Sequence, residues 1–278
     1  MRVDVGGVGI EFDVFGRDDG RPVVLLHGFP DSAALWRNQV PPLVEAGFRV
    51  ITPDLRGFGR SDAPEPVEAY SLLTSAFDVT SILDELGIER AHVVGHDFGS
   101  ALAWVFATFC AERLDHLVAM SVGHPAAFRL TDFDQGRASW YVLLFQFQGV
   151  AEQWLRDDDW ANFRAWSHHP DADDVITRFE AGDDRPGAAS LTTGLNWYRA
   201  NLTADAWVAP RLELPPIQAP TMGIWSSKDF ALTEHQMTDS AAHVAGSWRY
   251  ERVDGAGHWM QLQAPSVVTD LLLDFLPV

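Results

Sequence analysis

Only one cysteine, Cys110, occurs in the 278 residues, so no intramolecular disulfide can form and no Cys/His metal-ligand spacing exists. It falls in an apolar helical stretch, where a free cysteine reads as a small buried hydrophobe. Positive charge is scarce as well: 20 Lys and Arg stand against 39 Asp and Glu, a formal net charge of −19. A field of that sign repels nucleic acid and anionic membrane, so neither is expected as a partner. Acidic clusters such as "RDDDW" (156–160) and "DADD" (171–174) read as solvated surface. No uncharged apolar run reaches the length of a membrane span, and the start, "MRVDVGGVGIEFDVFG", lacks the continuous apolar stretch of a secretory signal. A soluble, cytoplasmic protein is the expectation. Internal repeats and low-complexity segments are missing too.

The pattern that remains is an alternation. "IEFDVFG" (10–16), "PVVLLHG" (22–28), "FRVITPDL" (48–55), "AHVVG" (91–95) and "LDHLVAMSVGHP" (114–125) read as strands. Between them, "SAALWRNQVPPLVEAG" (32–47) reads as a helix bent at Pro41 and Pro42. "SLLTSAFDVTSILDELG" (71–87) reads as a helix capped by Ser71 and stopped by Gly87. This rhythm predicts an α/β fold, a doubly wound, mostly parallel sheet with helices on both faces. It breaks after Pro125, where most of the tryptophans and helical patches at 139–155 and 189–202 occur. It resumes after the proline-rich "VAPRLELPPIQAP" with strands at 221–226 and 248–253 and helices at 233–245 and 266–276. The chain thus divides into a core, 1–125 with 216–278, and an inserted helical cap, 126–215.

Ligands of such sheets bind beyond the carboxyl ends of the strands. Four sequences sit there: "HGFP" (27–30), "VVGHDFGS" (93–100), "SSKDF" (226–230) and "GAGHWM" (255–260). The second has the strand, glycine turn and helix of a nucleophile elbow, with Asp97 in the position a serine usually holds. Asp97, Asp229 and His258 follow the chain order nucleophile, acid, base. Asp254 is a rival acid that reads better as a turn residue, and Ser100 reads as a small residue inside the helix after the elbow.

Taken together, "HGFPDS" (27–32), "DLRGFGRSD" (54–62), "VVGHDFGS" (93–100), "SSKDFAL" (226–232) and "GAGHWMQ" (255–261) resemble the epoxide hydrolases of the α/β-hydrolase superfamily over essentially the whole chain. "SWYVLLFQFQGVAE" (139–152) and "GLNWYRANL" (194–202) resemble the segments that carry that family's paired tyrosines, which fall on Tyr141 and Tyr198.

An aspartate suits displacement at saturated carbon. A serine would end as an ether that activated water cannot cleave, whereas a carboxylate forms an alkyl ester open to attack at its own carbonyl. The helix beginning at Phe98 turns its positive end toward that carboxylate. His258, oriented by Asp229, would activate water against the ester, and backbone N–H groups of Phe29 and Phe98 would form the oxyanion hole. An opening epoxide leaves an alkoxide that needs an acidic O–H, which tyrosine, with a pKa of about 10, supplies.

The resemblance therefore implies conversion of an apolar epoxide to a vicinal diol, with no metal or organic cofactor, by a monomer or homodimer. Haloalkane dehalogenases share the aspartate but typically carry a tryptophan directly after it, and fluoroacetate dehalogenases an arginine. Phe98 stands there in this chain. Indoles of Trp36, Trp140, Trp154, Trp160, Trp166, Trp197 and Trp207 keep the dehalogenase alternative open. A non-catalytic binding protein on the same fold is the other alternative, and its expected signature is the loss of one of these residues.

Overall fold

A computed structural model describes residues 1–183, 187–210 and 212–278. Its centre is an eight-stranded sheet of order β1-β2-β4-β3-β5-β6-β7-β8. The strands are β1 (Arg2–Val5), β2 (Val8–Phe15), β3 (Arg21–Leu26), β4 (Phe48–Pro53), β5 (Ala91–His96), β6 (Leu114–Met120), β7 (Thr221–Lys228) and β8 (Trp248–Gly257). From β4 through β8 every pairing is parallel. The β1–β2 hairpin adds an antiparallel edge. Parallel strands buried on both faces need unbroken apolar runs, and β3 and β5 at the centre supply them.

Among the described residues the helices are α1 (Val40–Glu45), α2 (Leu72–Glu85), α3 (Phe98–Phe109), α4 (Phe133–Ala138), α5 (Tyr141–Phe145), α6 (Val150–Ser167), α7 (Ala172–Asp183), α8 (Leu191–Asn201), α9 (Glu234–Thr238), α10 (Met260–Gln263) and α11 (Pro265–Phe275). Helices α2 and α3 pack one face of the sheet through Val79, Leu83, Leu102 and Phe106. The other face meets α1, α10 and α11 through Leu43, Met260 and Leu272. Helices α4 to α8 lie between β6 and β7 in sequence, and α5 to α8 join the first of these clusters through Tyr141, Phe163, Phe179 and Trp197. Ser71 caps α2 as its spacing predicts, accepting a bond from the Thr74 N–H at 3.1 Å.

The helix expected over 233–245 breaks into α9 and a 3-10 turn at Asp239–His243, and three other segments depart from expectation. Residues 32–47 do not form one bent helix: a 3-10 turn at Ala33–Trp36 ends before α1, and Pro41 and Pro42 sit in the first turn of α1, where a missing N–H costs nothing. The strand expected over 114–125 stops at Met120, and Ser121 takes a left-handed φ of 73°. The helical patch at 139–155 is two elements, α5 and α6, parted by Gly149 at φ 81°. Within α6, the acidic run Asp157–Asp159 and Trp160 kinks the axis with non-helical backbone angles.

Candidate active site

Strand β5 delivers the chain into Asp97 and α3 begins one residue later. The turn holds Asp97 at φ 55°, ψ −123°. Such a conformation costs a residue with a side chain about 1–3 kcal/mol and survives only where the surroundings impose it. Glycines do so here by close approach: a Cβ on Gly95 would lie 2.1 Å from the Gly99 carbonyl oxygen, and one on Gly99 2.2 Å from that of Leu26. Strand β3, strand β5 and α3 can therefore meet only with hydrogen at both positions, and the meeting lifts Asp97 above the sheet.

The "HGFP" loop after β3 comes against it. Gly28 packs so tightly that a Cβ would stand 2.3 Å from Asp97 Oδ1, and the Phe29 N–H donates to that same oxygen at 2.9 Å. The Phe29–Pro30 peptide is cis. The Phe98 N–H opens α3, where backbone donors lack intrahelical partners.

His258 and Asp229, the expected base and acid, follow β8 and β7. His258 Nε2 is 3.5 Å from Asp97 Oδ2, and its Nδ1 is 2.9 Å from Asp229 Oδ2. The Asp229 side chain is fully buried, yet its Oδ1 accepts N–H bonds from Ala231 (2.9 Å) and Leu232 (3.1 Å). Burial pushes the Asp229 pKa up, but the His258 charge and the hydrogen bonds from His258 and Ser121 outweigh it, so the net shift is downward. For His258, burial lowers the pKa and the two carboxylates, Asp229 first, more than reverse it, to about 10. Asp254 is exposed and paired with Arg252, away from the imidazole. Ser100 is buried in α3 and donates its hydroxyl to the Val122 carbonyl.

Ser121 was not among the residues singled out from sequence. Its hydroxyl donates to Asp229 Oδ2 and lies 3.0 Å from His258 Nδ1. Ending β6 at Met120 puts Ser121 at a fifth strand end, but the apolar run "LVAMSV" hides that boundary. A second hold on His258 comes from His96, whose Nε2 donates to the His258 carbonyl at 2.9 Å. Burial lowers the His96 pKa to about 4. Asp31, next after the "HGFP" loop, accepts from Trp259 Nε1 at 2.9 Å and from His169 Nε2 at 3.1 Å.

Over the carboxylate stand Tyr141, first residue of α5, and Tyr198 of α8, both buried, with ring centroids 6.0 Å apart. Burial raises both pKa values well above 10, followed by the charge of Asp97 for Tyr141 and by Tyr141 and then Asp97 for Tyr198, so both hydroxyls stay protonated. Tyr141, Tyr198 and Asp97 line one cavity of about 500 Å³. Phe98 meets Tyr198 edge to face at 4.7 Å and presents no polar hydrogen.

Of the tryptophans, Trp36 belongs to the core beneath the opposite sheet face, and Trp140 is half exposed. Trp197 donates to the Arg56 carbonyl and Trp160 to Glu180. Trp166 packs on Tyr141 at 4.8 Å and Trp140 meets the same ring at 6.4 Å, and among the described residues the buried Trp166 indole N–H has no partner. Among the described residues no cluster of His, Cys, Asp and Glu could hold a metal ion, and no helix is long and apolar enough to cross a membrane.

The alpha/beta hydrolase fold family matches residues 21–265. The chain is 33% identical to the AB hydrolase superfamily protein YfhM of Bacillus subtilis, over 99% of this chain and 96% of the relative. It is 32% identical to Epoxide hydrolase A of Mycobacterium tuberculosis, over 99% of this chain and 96% of the relative. Among solved structures, Epoxide Hydrolase A from Mycobacterium thermoresistibile superposes with a TM-score of 0.81 at 30% identity, covering 99% of this chain and 97% of that one.

Proposed function

Because the chain belongs to the α/β-hydrolase fold family and carries a carboxylate at the elbow beneath two buried tyrosines, we propose that it is an epoxide hydrolase working through a covalent ester on Asp97. The observation that carries the reading is the division of the Asp97 oxygens. Oδ1 is held by the Phe29 N–H, and Oδ2, 3.5 Å from His258 Nε2, is the oxygen free to attack. Oδ2 bonds to a ring carbon, the C–O bond breaks, and the leaving oxygen takes a proton from Tyr141 or Tyr198.

The ester carbonyl then keeps Oδ1 in the oxyanion hole of the Phe29 and Phe98 N–H groups. His258 returns its proton to the tyrosinate left by ring opening and, now neutral, takes a proton from water, which attacks the ester carbon. The resulting imidazolium is held by Asp229, and collapse of the tetrahedral anion, whose added hydroxyl yields its proton to the departing oxygen, releases the diol and restores the Asp97 carboxylate. The helical insertion, about 126–215, serves as the cap of a core made of 1–125 and 216–278. It brings the tyrosines over Asp97 and keeps bulk water from the ester.

One observation favours the second reading. The partnerless Trp166 indole beside Tyr141 resembles a halide donor. A halide leaving group needs no proton, though, and the tyrosine pair would then have no task.

Product analysis with matched epoxides and haloalkanes separates the two, with Asp97→Ala as the blank. Diol without free halide is expected, and halide without diol would overturn the assignment. His258→Gln should form the ester and stall, so intact-protein mass should rise by the mass of the epoxide. Normal turnover by that variant would exclude the mechanism.

A further inference from the structure

The cavity that reaches Asp97 is lopsided. From the nucleophile it runs along one face of α3 past Ala101, Val105 and Phe109. These positions, four apart, span roughly 12 Å of helix. Its other flank is Leu202, Ala206 and Leu212, and it ends near the half-exposed ring of Phe109, at the surface. Among the described residues its charged members, apart from Asp97, are Arg129 and Asp205, opposite in sign. An uncharged carbon chain fits such an arm.

The opposite side of the nucleophile is walled. The Phe29 ring stacks on Phe179 at 6.1 Å and meets Trp166 at 6.2 Å. Trp166 packs on Tyr141 at 4.8 Å, and Phe230 closes against Trp166 at 6.1 Å and His258 at 5.8 Å. None of Phe29, Trp166 and Phe230 lines the cavity.

An epoxide presents two ring carbons, and a site with one arm accommodates bulk on only one of them. Resting on the epoxide reading above, we infer that the substrate is a terminal epoxide. One ring carbon bears an elongated, uncharged apolar group that lies along α3, and the other is unsubstituted and faces the wall of Phe29, Trp166 and Phe230. An internal epoxide of the same size would have to drive a second chain into that wall.

Two isomers test this, because they have the same formula and bury nearly the same apolar area. The kcat/KM for 1,2-epoxydecane should exceed that for trans-5,6-epoxydecane by about 10-fold or more, the scale on which a pocket discriminates by shape. In Trp166→Ala, which opens the wall, the ratio should shrink through faster turnover of the internal isomer. In Ala206→Phe, which fills the arm, kcat/KM for 1,2-epoxydecane should fall further than that for propylene oxide. Equal or faster hydrolysis of 5,6-epoxydecane by the unaltered protein overturns the one-armed site and leaves epoxide hydrolysis standing. Absence of diol from all three epoxides overturns the epoxide reading itself, and the inference with it.

Discussion

The histidine proposed as the base of this site starts as a cation. Two carboxylates raise the His258 pKa to about 10, so at neutral pH it holds its proton. In the proposed mechanism, forming the ester cancels the charge on Asp97 and removes one of the two partners. The imidazole then releases its proton more readily at the moment a base is wanted. Asp97→Asn copies that loss of charge, so the His258 resonances in this variant should titrate below the pH at which they do in the unaltered protein. Coincident titration curves by NMR would show that Asp97 does not set the charge of the base. Ser121 acts on the other partner: its hydroxyl steadies the Asp229 carboxylate against His258. A hydrogen bond to a charged group contributes about 1.5–3 kcal/mol. Ser121→Ala should therefore slow ester hydrolysis by roughly 10-fold while ester formation changes little. Rapid-quench measurement of the two phases would reveal an equal effect on both, which would reduce Ser121 to a packing role.

At the scale of elements, two helices far apart in sequence have to be placed together over one carboxylate. Tyr141 comes from a helix of five residues, α5, and Tyr198 from α8, whose Ser190 cap accepts the Thr193 N–H. Neither hydroxyl is redundant if both grip the epoxide oxygen. Each single Phe substitution should then lower the rate of ester formation by about 10-fold, and the double substitution should nearly abolish it, since general acid catalysis contributes some 10²–10⁴-fold. A double variant with unimpaired ester formation would remove the tyrosines from the reaction. The sequence made these helices and the strands β2 to β8 legible through periodicity and glycine turns, because the residues that specify them are local. Helix α2 with its cap and the four strand-end motifs belong to the same class. What stayed hidden depends on partners far along the chain. Strand β1 is four residues that read as strand only beside β2. The end of β6 is set when the Ser121 N–H finds the Ile224 carbonyl, across the helical insertion. The wall of Phe29, Trp166 and Phe230 draws on three distant segments, so no local spacing announces it.

For the whole molecule, the ten histidines matter more than the surplus of acids to how stability follows pH. Burial lowers His92, His96 and His124 to about 4 and moves His27 the same way. The unfolded chain takes up a proton at each of these near 6.5, while the folded protein does so only at lower pH, about 4 for His92, His96 and His124. Across that window the unfolded state therefore binds more protons, and stability falls as pH falls. His258 has the opposite sign: its raised pKa contributes stability that is complete below 6.5 and is lost as pH rises through about 10. Exposed carboxylates titrate mostly below the acid window, so relief of their mutual repulsion comes too late to compensate. The melting temperature should accordingly peak near neutrality and fall from pH 7 to pH 5, by roughly 5 °C or more. Replacing His124, which is buried against Trp104 at 5.2 Å, by an uncharged Gln should flatten the acid side of the curve even if the peak itself drops. Calorimetry of both proteins across pH 5 to 9 decides it: an unaltered acid slope in His124→Gln would mean that the buried imidazoles do not govern acid stability.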